Sequence, residues 1–276
     1  MRARLVLGGL AAAAVSAAAL AGSALGASRD LASDVSANWA GYVLTGAYTS
    51  YTSVTGTWKQ PKITCGSNDG GASSAFWVGL GGYYTSSQSL EQIGTSADCS
   101  SATGTPKYYA WYELVPDASV TIPNFTVEPG DVITTSVNVV NGGSSVMLQV
   151  KNRSRSKTFT TTLPFASVDS SSAEWVAEAP SACNQFRCRQ LSLPNFGSVQ
   201  FTKVAALGNS IGGTLTSNPG WTATSISLVP TQSSGFFPGP DRFAAAAASS
   251  AGETPSAPTA DGRGFTVSWA SAPATS

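Results

Sequence analysis

From residue 38 to about residue 230 the chain runs in short stretches with a two-residue period, and no long helical period interrupts them. Val146, Leu148 and Val150 alternate with Met147, Gln149 and Lys151, and a similar alternation runs through Val132-Ile133-Thr134-Thr135-Ser136-Val137-Asn138-Val139. A period of two is that of a strand with one buried face. Turn-forming clusters such as Asn141-Gly142-Gly143 and Glu128-Pro129-Gly130-Asp131 separate the runs. Strands are predicted at 39–44, 53–58, 75–80, 89–94, 108–115, 132–140, 146–152, 157–163, 174–178, 198–206 and 223–228. The expected fold is all-β, an antiparallel sandwich of two packed sheets. A length of 276 residues suffices for one large β domain or two small ones.

Composition excludes more chemistry than any motif does. There are 15 basic and 15 acidic residues and no histidine. No basic patch points to nucleic acid. Without histidine there is no Ser-His-Asp or Cys-His nucleophile and no HExxH zinc site. Hydrolysis in this chain must run on carboxylates, amides, hydroxyls or lysines, and no cofactor or metal is implied.

Residues 1–27 read as a secretory signal: Arg2 and Arg4, an apolar core from Leu5 to Leu20, then small residues around 24–27. A short segment, 28–37, leads into the β domain at 38–230. Residues 231–276, rich in Pro, Ala, Ser and Gly, read as a flexible tail, although 264–269 could add an edge strand. The four cysteines, Cys65, Cys99, Cys183 and Cys188, fit an oxidising compartment. Three pairings are possible. The short spacing of Cys183 and Cys188 suits a small loop, which would leave Cys65 to Cys99. The expectation is an extracellular monomer without stable membrane association once its signal is removed.

Only six residues are Glu, and two of them stand in Ala173-Glu174-Trp175-Val176-Ala177-Glu178-Ala179-Pro180. As a strand this run puts Glu174, Val176 and Glu178 on one face and Trp175 and Ala177 on the other. Three further stretches carry chemistry. Phe76-Trp77-Val78-Gly79-Leu80-Gly81-Gly82 runs into a glycine turn. Leu90-Glu91-Gln92-Ile93-Gly94-Thr95 places an amide in an apolar strand. In Tyr108-Tyr109-Ala110-Trp111-Tyr112-Glu113-Leu114, Tyr109, Trp111 and Glu113 share a face.

Taken in order, Asn38-Trp39-Ala40-Gly41, Trp77-Val78-Gly79, Gln92-Ile93-Gly94-Thr95, Ala110-Trp111-Tyr112-Glu113 and Glu174-Trp175-Val176-Ala177-Glu178 resemble the motifs of the glutamic peptidases, the eqolisin family. The resemblance spans about 36–230. It implies a lectin-like sandwich with a groove across its concave sheet and a catalytic Gln/Glu pair. Carried over by motif, the pair is Gln92 and Glu178, with Glu174 the alternative on the same face. Trp39, Trp77, Trp111, Glu113 and Glu174 become candidates for holding a protein or peptide substrate. The sequence departs from the family at Tyr109, where an acidic residue is usual, and at Leu80-Gly81-Gly82, where an Asp often follows.

Physically, a carboxylate above aromatic rings is partly desolvated, which pushes it toward use as a general base and then acid. Glu178 would take a proton from the attacking water and return it to the leaving amine, while Gln92 stabilises the oxyanion. The expected function is a secreted, acid-acting endopeptidase. Two other readings fit a lectin-like sandwich: a non-catalytic glycan- or cell-wall-binding module, and a β-glycanase working through paired Glu.

Overall fold

A computed structural model describes residues 31–66, 69–183, 188–229 and 251–271. The expected export signal and the first half of the expected tail lie outside the described residues. The strands are β1 (Ala32–Ser36), β2 (Trp39–Thr45), β3 (Tyr51–Lys59), β4 (Ser73–Gly81), β5 (Leu90–Cys99), β6 (Pro106–Val115), β7 (Val120–Thr121), β8 (Val132–Val140) and β9 (Ser145–Asn152). They continue as β10 (Lys157–Pro164), β11 (Ser172–Glu178), β12 (Ser181–Cys183), β13 (Cys188–Gln190), β14 (Ser198–Gly208), β15 (Ile211–Gly213), β16 (Thr222–Leu228), β17 (Ala251–Pro255) and β18 (Gly264–Ser271). Every strand predicted from periodicity is present.

Hydrogen bonding runs in the order β10-β9-β8-β3-β14-β18-β17-β16-β2-β11-β4-β5-β6-β7. The order divides naturally into two halves. β10-β9-β8-β3-β14 forms one wall, and β16-β2-β11-β4-β5-β6-β7 forms the other. A core of Tyr42, Phe76, Val78, Ile93 and Trp175 from the second wall meets Val54, Trp58, Val137, Leu148 and Phe201 from the first. Two indoles tie the walls together: Trp175 Nε1 donates to the Thr55 carbonyl at 2.8 Å, and Trp58 Nε1 to Thr95 Oγ1 at 3.2 Å. Each bond satisfies a polar atom that burial would otherwise leave stranded.

The C-terminal segment corrects the reading of a tail. β17 and β18 pair with each other and fill the sheet between β16 and β14. Phe265 and Val267 are buried in the core, and Phe265 stacks on Phe201 with ring centres 5.0 Å apart. Composition misled because Pro, Ala and Ser dominate the count, whereas Phe265 and Val267 share a face and drive the packing. Nor is β18 an edge strand, since it lies between β14 and β17.

The Cys65–Cys99 disulfide forms, joining the loop after β3 to the end of β5. Cys183 and Cys188 stand opposite each other in the β12–β13 register.

β2 and β11 are buried along their whole length and approach very closely. Gly41 makes this possible. Its φ is +148°, and a Cβ there would lie 2.0 Å from the Trp175 carbonyl oxygen. Gly41→Ala is expected to destabilise the fold by at least about 3 kcal/mol, combining backbone strain with the clash. Thermal denaturation checks this: a melting point within a few degrees of wild type would contradict it.

Candidate active site

The second wall presents one face to a groove of about 600 Å³. Alternation along β2, β11, β4, β5 and β6 places Trp39, Val176, Ala75, Trp77, Leu90, Trp111 and Val115 in a small second cluster on that face. Tyr109 packs against it. Register then sets rows across the strands. Glu178 lies opposite Trp39 on one side and Ala75 on the other, and Ala75 faces Ser96, which faces Tyr109. Two residues along come Val176, Trp77, Gly94 and Trp111, and two further Glu174, Gly79, Gln92 and Glu113.

Glu178 is 6% exposed and opens onto the groove. Its Oε1 accepts from Asn38 Nδ2 and Trp39 Nε1, both at 3.2 Å, and its Oε2 accepts from Trp77 Nε1 at 2.6 Å. Three N–H donors suit an ionised carboxylate, which only accepts. The Trp39 and Trp77 rings meet edge to face at 5.0 Å, which fixes both donors. Gly94 is what lets Trp77 sit so low on the sheet. A Cβ at Gly94 would come 2.6 Å from Trp77 Cβ and 2.3 Å from the Phe76 carbonyl oxygen.

Gln92 lines the same groove and is 5% exposed. Its Nε2 donates to Glu113 Oε2 at 2.6 Å. Because a carboxylate accepts, this bond turns the amide nitrogen to Glu113 and leaves Oε1 facing away. Oε1 has no partner, and neither does the buried indole N–H of Trp111 beside it. Unsatisfied buried polar atoms are costly, and both of these belong to residues of the groove wall.

The structure therefore brings Gln92, Glu178, Trp39, Trp111 and Glu113 to one groove. It does not bring Trp77 or Glu174 to the substrate. Trp77 is fully buried and serves Glu178 from below. Glu174 shares a row with Gln92, so register alone would favour it, yet it is 0% exposed and absent from the groove wall. Burial, and to a smaller extent the charges of Asp169 and Glu91, push its carboxyl well above the usual range, so it stays protonated. Glu113, a candidate for holding substrate, accepts from Gln92 Nε2. Asn38 emerges as a ligand of Glu178. Its place beside Trp39, where β2 begins, was the only sequence signal for that role.

A carboxylate and an amide thus line one groove on one face of a β-sandwich. A family model described as the peptidase A4 family matches residues 37–229. The chain belongs to that family, the glutamic peptidases or eqolisins, and is an enzyme of the glutamic endopeptidase class. Among solved structures it is similar to scytalido-glutamic peptidase bound to a peptide-based transition-state analogue, with TM-score 0.65, 21% identity, and coverage of 85% of this chain and 98% of that one. It is also similar to SCP-B in complex with the tripeptide Ala-Ile-His, with TM-score 0.57, 20% identity, and coverage of 85% and 98%. Aspergilloglutamic peptidase from Aspergillus niger gives TM-score 0.53, 21% identity, and coverage of 72% and 99%. At these identities the likeness shows the shared fold. No curated protein sequence matches the chain.

Proposed function

We propose that Glu178 and Gln92 form the catalytic dyad of an exported, acid-acting endopeptidase. The observation that carries this reading is a donor-cradled carboxylate and a half-satisfied amide lining one groove. With the scissile carbonyl between them, Glu178 takes a proton from water, and the resulting hydroxide attacks the carbonyl carbon. The proton then passes to the leaving amine as the C–N bond breaks. Gln92 Nε2 carries two hydrogens, one of which Glu113 holds. The second is available to the developing oxyanion, while Oε1 can accept from the water. Glu113 is thus a positioning residue. Export is supported by the Cys65–Cys99 disulfide. Acid action is supported by a groove wall that carries Asp98, Glu113, Asp117 and Glu178 and no basic residue.

The test is cleavage of a denatured protein between pH 2 and 7, with chelator and with pepstatin present. Wild type is expected to cut in acid despite both reagents. Gln92→Ala should lose about a hundredfold or more in kcat, the usual cost of one oxyanion donor. Undiminished cleavage by folded Gln92→Ala would remove the amide from the mechanism.

A further inference from the structure

The two ends of the groove differ in chemistry, and β5 shows it most directly. From the central Gly94, Gln92 and Leu90 succeed each other on one side, and Ser96 and Asp98 on the other. Leu90 and Asp98 are each four residues from Gly94, or about 13 Å of strand. Leu90 is joined by Val115 in an apolar wall, and Asp98 by Ser73, Ser96 and Tyr109 in a polar one.

Asp98 is partly exposed and accepts from Ser73 Oγ at 2.6 Å. The Tyr109 phenol lies within hydrogen-bonding influence of both Asp98 and Ser96. An ionised carboxylate offers about four acceptor positions, so these partners leave room for more. Lys107 faces Asp98 in the strand register, but its Nζ lies over the Tyr109 ring, 5.7 Å from the centre. Among the described residues the recorded ion pair is Arg155–Asp131, and Asp98 has no cationic partner.

Resting on the peptidase reading, we infer that Asp98, with Ser73, Ser96 and Tyr109, is a specificity subsite that takes a lysine or arginine side chain of the peptide substrate, while the Leu90–Val115 end takes an apolar one. A long cationic side chain spans part of the distance from the Gly94 row, so the favoured position lies within three residues of the bond cut. Lysine supplies three donors and arginine five, enough to use the free carboxylate positions and the serine hydroxyl oxygens.

The experiment digests a peptide library made from a denatured proteome with the full chain in acid, and reads the cut sites by mass spectrometry. Wild type is expected to enrich Lys and Arg at one position within three residues of the cut, with apolar residues enriched on the opposite side. Asp98→Asn should lower the ratio of kcat/KM for a Lys peptide over its Leu counterpart about tenfold, the scale of one partly exposed charge-assisted hydrogen bond. Asp98→Lys should shift enrichment to Asp and Glu. Cleavage without basic enrichment, or an Asp98→Asn profile equal to wild type, overturns the subsite and leaves the peptidase intact. Absence of any cleavage by wild type overturns the peptidase reading itself. Should Asp98→Asn not fold, the wild-type profile still decides.

Discussion

Glu178→Gln is expected to lower kcat by about a thousandfold or more, because a positioned general base contributes on the order of 10² to 10⁴ and the amide has no proton-accepting role to offer in its place. The substitution is close to isosteric but is not silent for the fold. Glu178 accepts from the N–H groups of Asn38, Trp39 and Trp77. A glutamine must point its NH2 group at one of them whichever way it turns. One buried donor is then stranded, at about 1–3 kcal/mol. The variant should therefore melt several degrees lower and yet remain folded at 25 °C. Steady-state kinetics and circular dichroism together check this. A folded Glu178→Gln enzyme that retains a tenth or more of wild-type kcat would remove Glu178 from proton transfer, and Glu174→Gln would be the next variant to assay.

The second large effect is on stability against pH. Glu91, Glu174 and Glu253 are all buried, at 0–1% exposure, and none of their carboxyl oxygens is hydrogen-bonded. Ser89 and backbone amides near Glu91, and Ser172 near Glu174, soften the penalty without reaching hydrogen-bond geometry. Burial pushes Glu91 from 4.5 to about 8, and pushes Glu174 and Glu253 well above the ordinary range. The folded protein thus keeps protons that the unfolded chain releases above about pH 4.5. Their contribution is fully present below that pH and is lost as pH rises toward 8. For Glu91 alone the displacement amounts to about 5 kcal/mol, at roughly 1.4 kcal/mol per pH unit.

Asp131 and Asp169 act in the opposite sense. Burial pushes each up, but hydrogen bonds outweigh it, from Arg155, Asn152 and the Glu128 amide at Asp131, and from Ser171, Ser87 and the Gly82 amide at Asp169. Both are held below 3.8, so their contribution is lost as pH falls below that value. Stability should therefore peak near pH 4 to 5. Domains have only about 5–15 kcal/mol in reserve, so the buried-Glu losses taken together should remove a large part of it by neutrality. Melting temperature measured from pH 3 to 8 is expected to fall steeply above pH 5, and Glu91→Gln should flatten the fall. A flat profile in wild type would show that these carboxyls have partners at neutral pH.

How much of this was legible in the sequence depends on the distance over which the information is carried. Alternation is local, so the strands could be read directly, as could the shared faces of Glu174 with Glu178 and of Trp111 with Glu113. The concave-face cluster of Trp39, Trp77 and Trp111 confirms those faces. Pairing between strands is not local. Nothing in the composition reveals that β11 inserts between β2 and β4, and it is this insertion that delivers Asn38, Trp39 and Trp77 to one carboxylate. The motif favoured Glu178 over Glu174, but that Glu174 is covered and Glu178 opens onto the groove was illegible for the same reason. They share a face, and only the surrounding chain determines which one is covered. The C-terminal strands were missed because packing depends on where apolar side chains fall, not on how many there are.

Those last strands have a consequence for how the enzyme matures. Among the described residues, strand pairing passes from one wall to the other through β17 and β18, and β17 meets β16 at a single pair, Leu228 with the buried Glu253. Until residues 251–271 have been synthesised, β14 lacks its partner β18 along 198–202 and stands as an open edge, whereas β16 already carries β1 along 224–228. Open edges are where chains pair wrongly, and contacts between distant segments form late. Residues 251–271 cover that edge with β18 and bring Phe265 onto Phe201. A chain cut off before residue 251 would therefore keep β2, β11 and β4 paired around Glu178 and yet be more prone to mispair along β14.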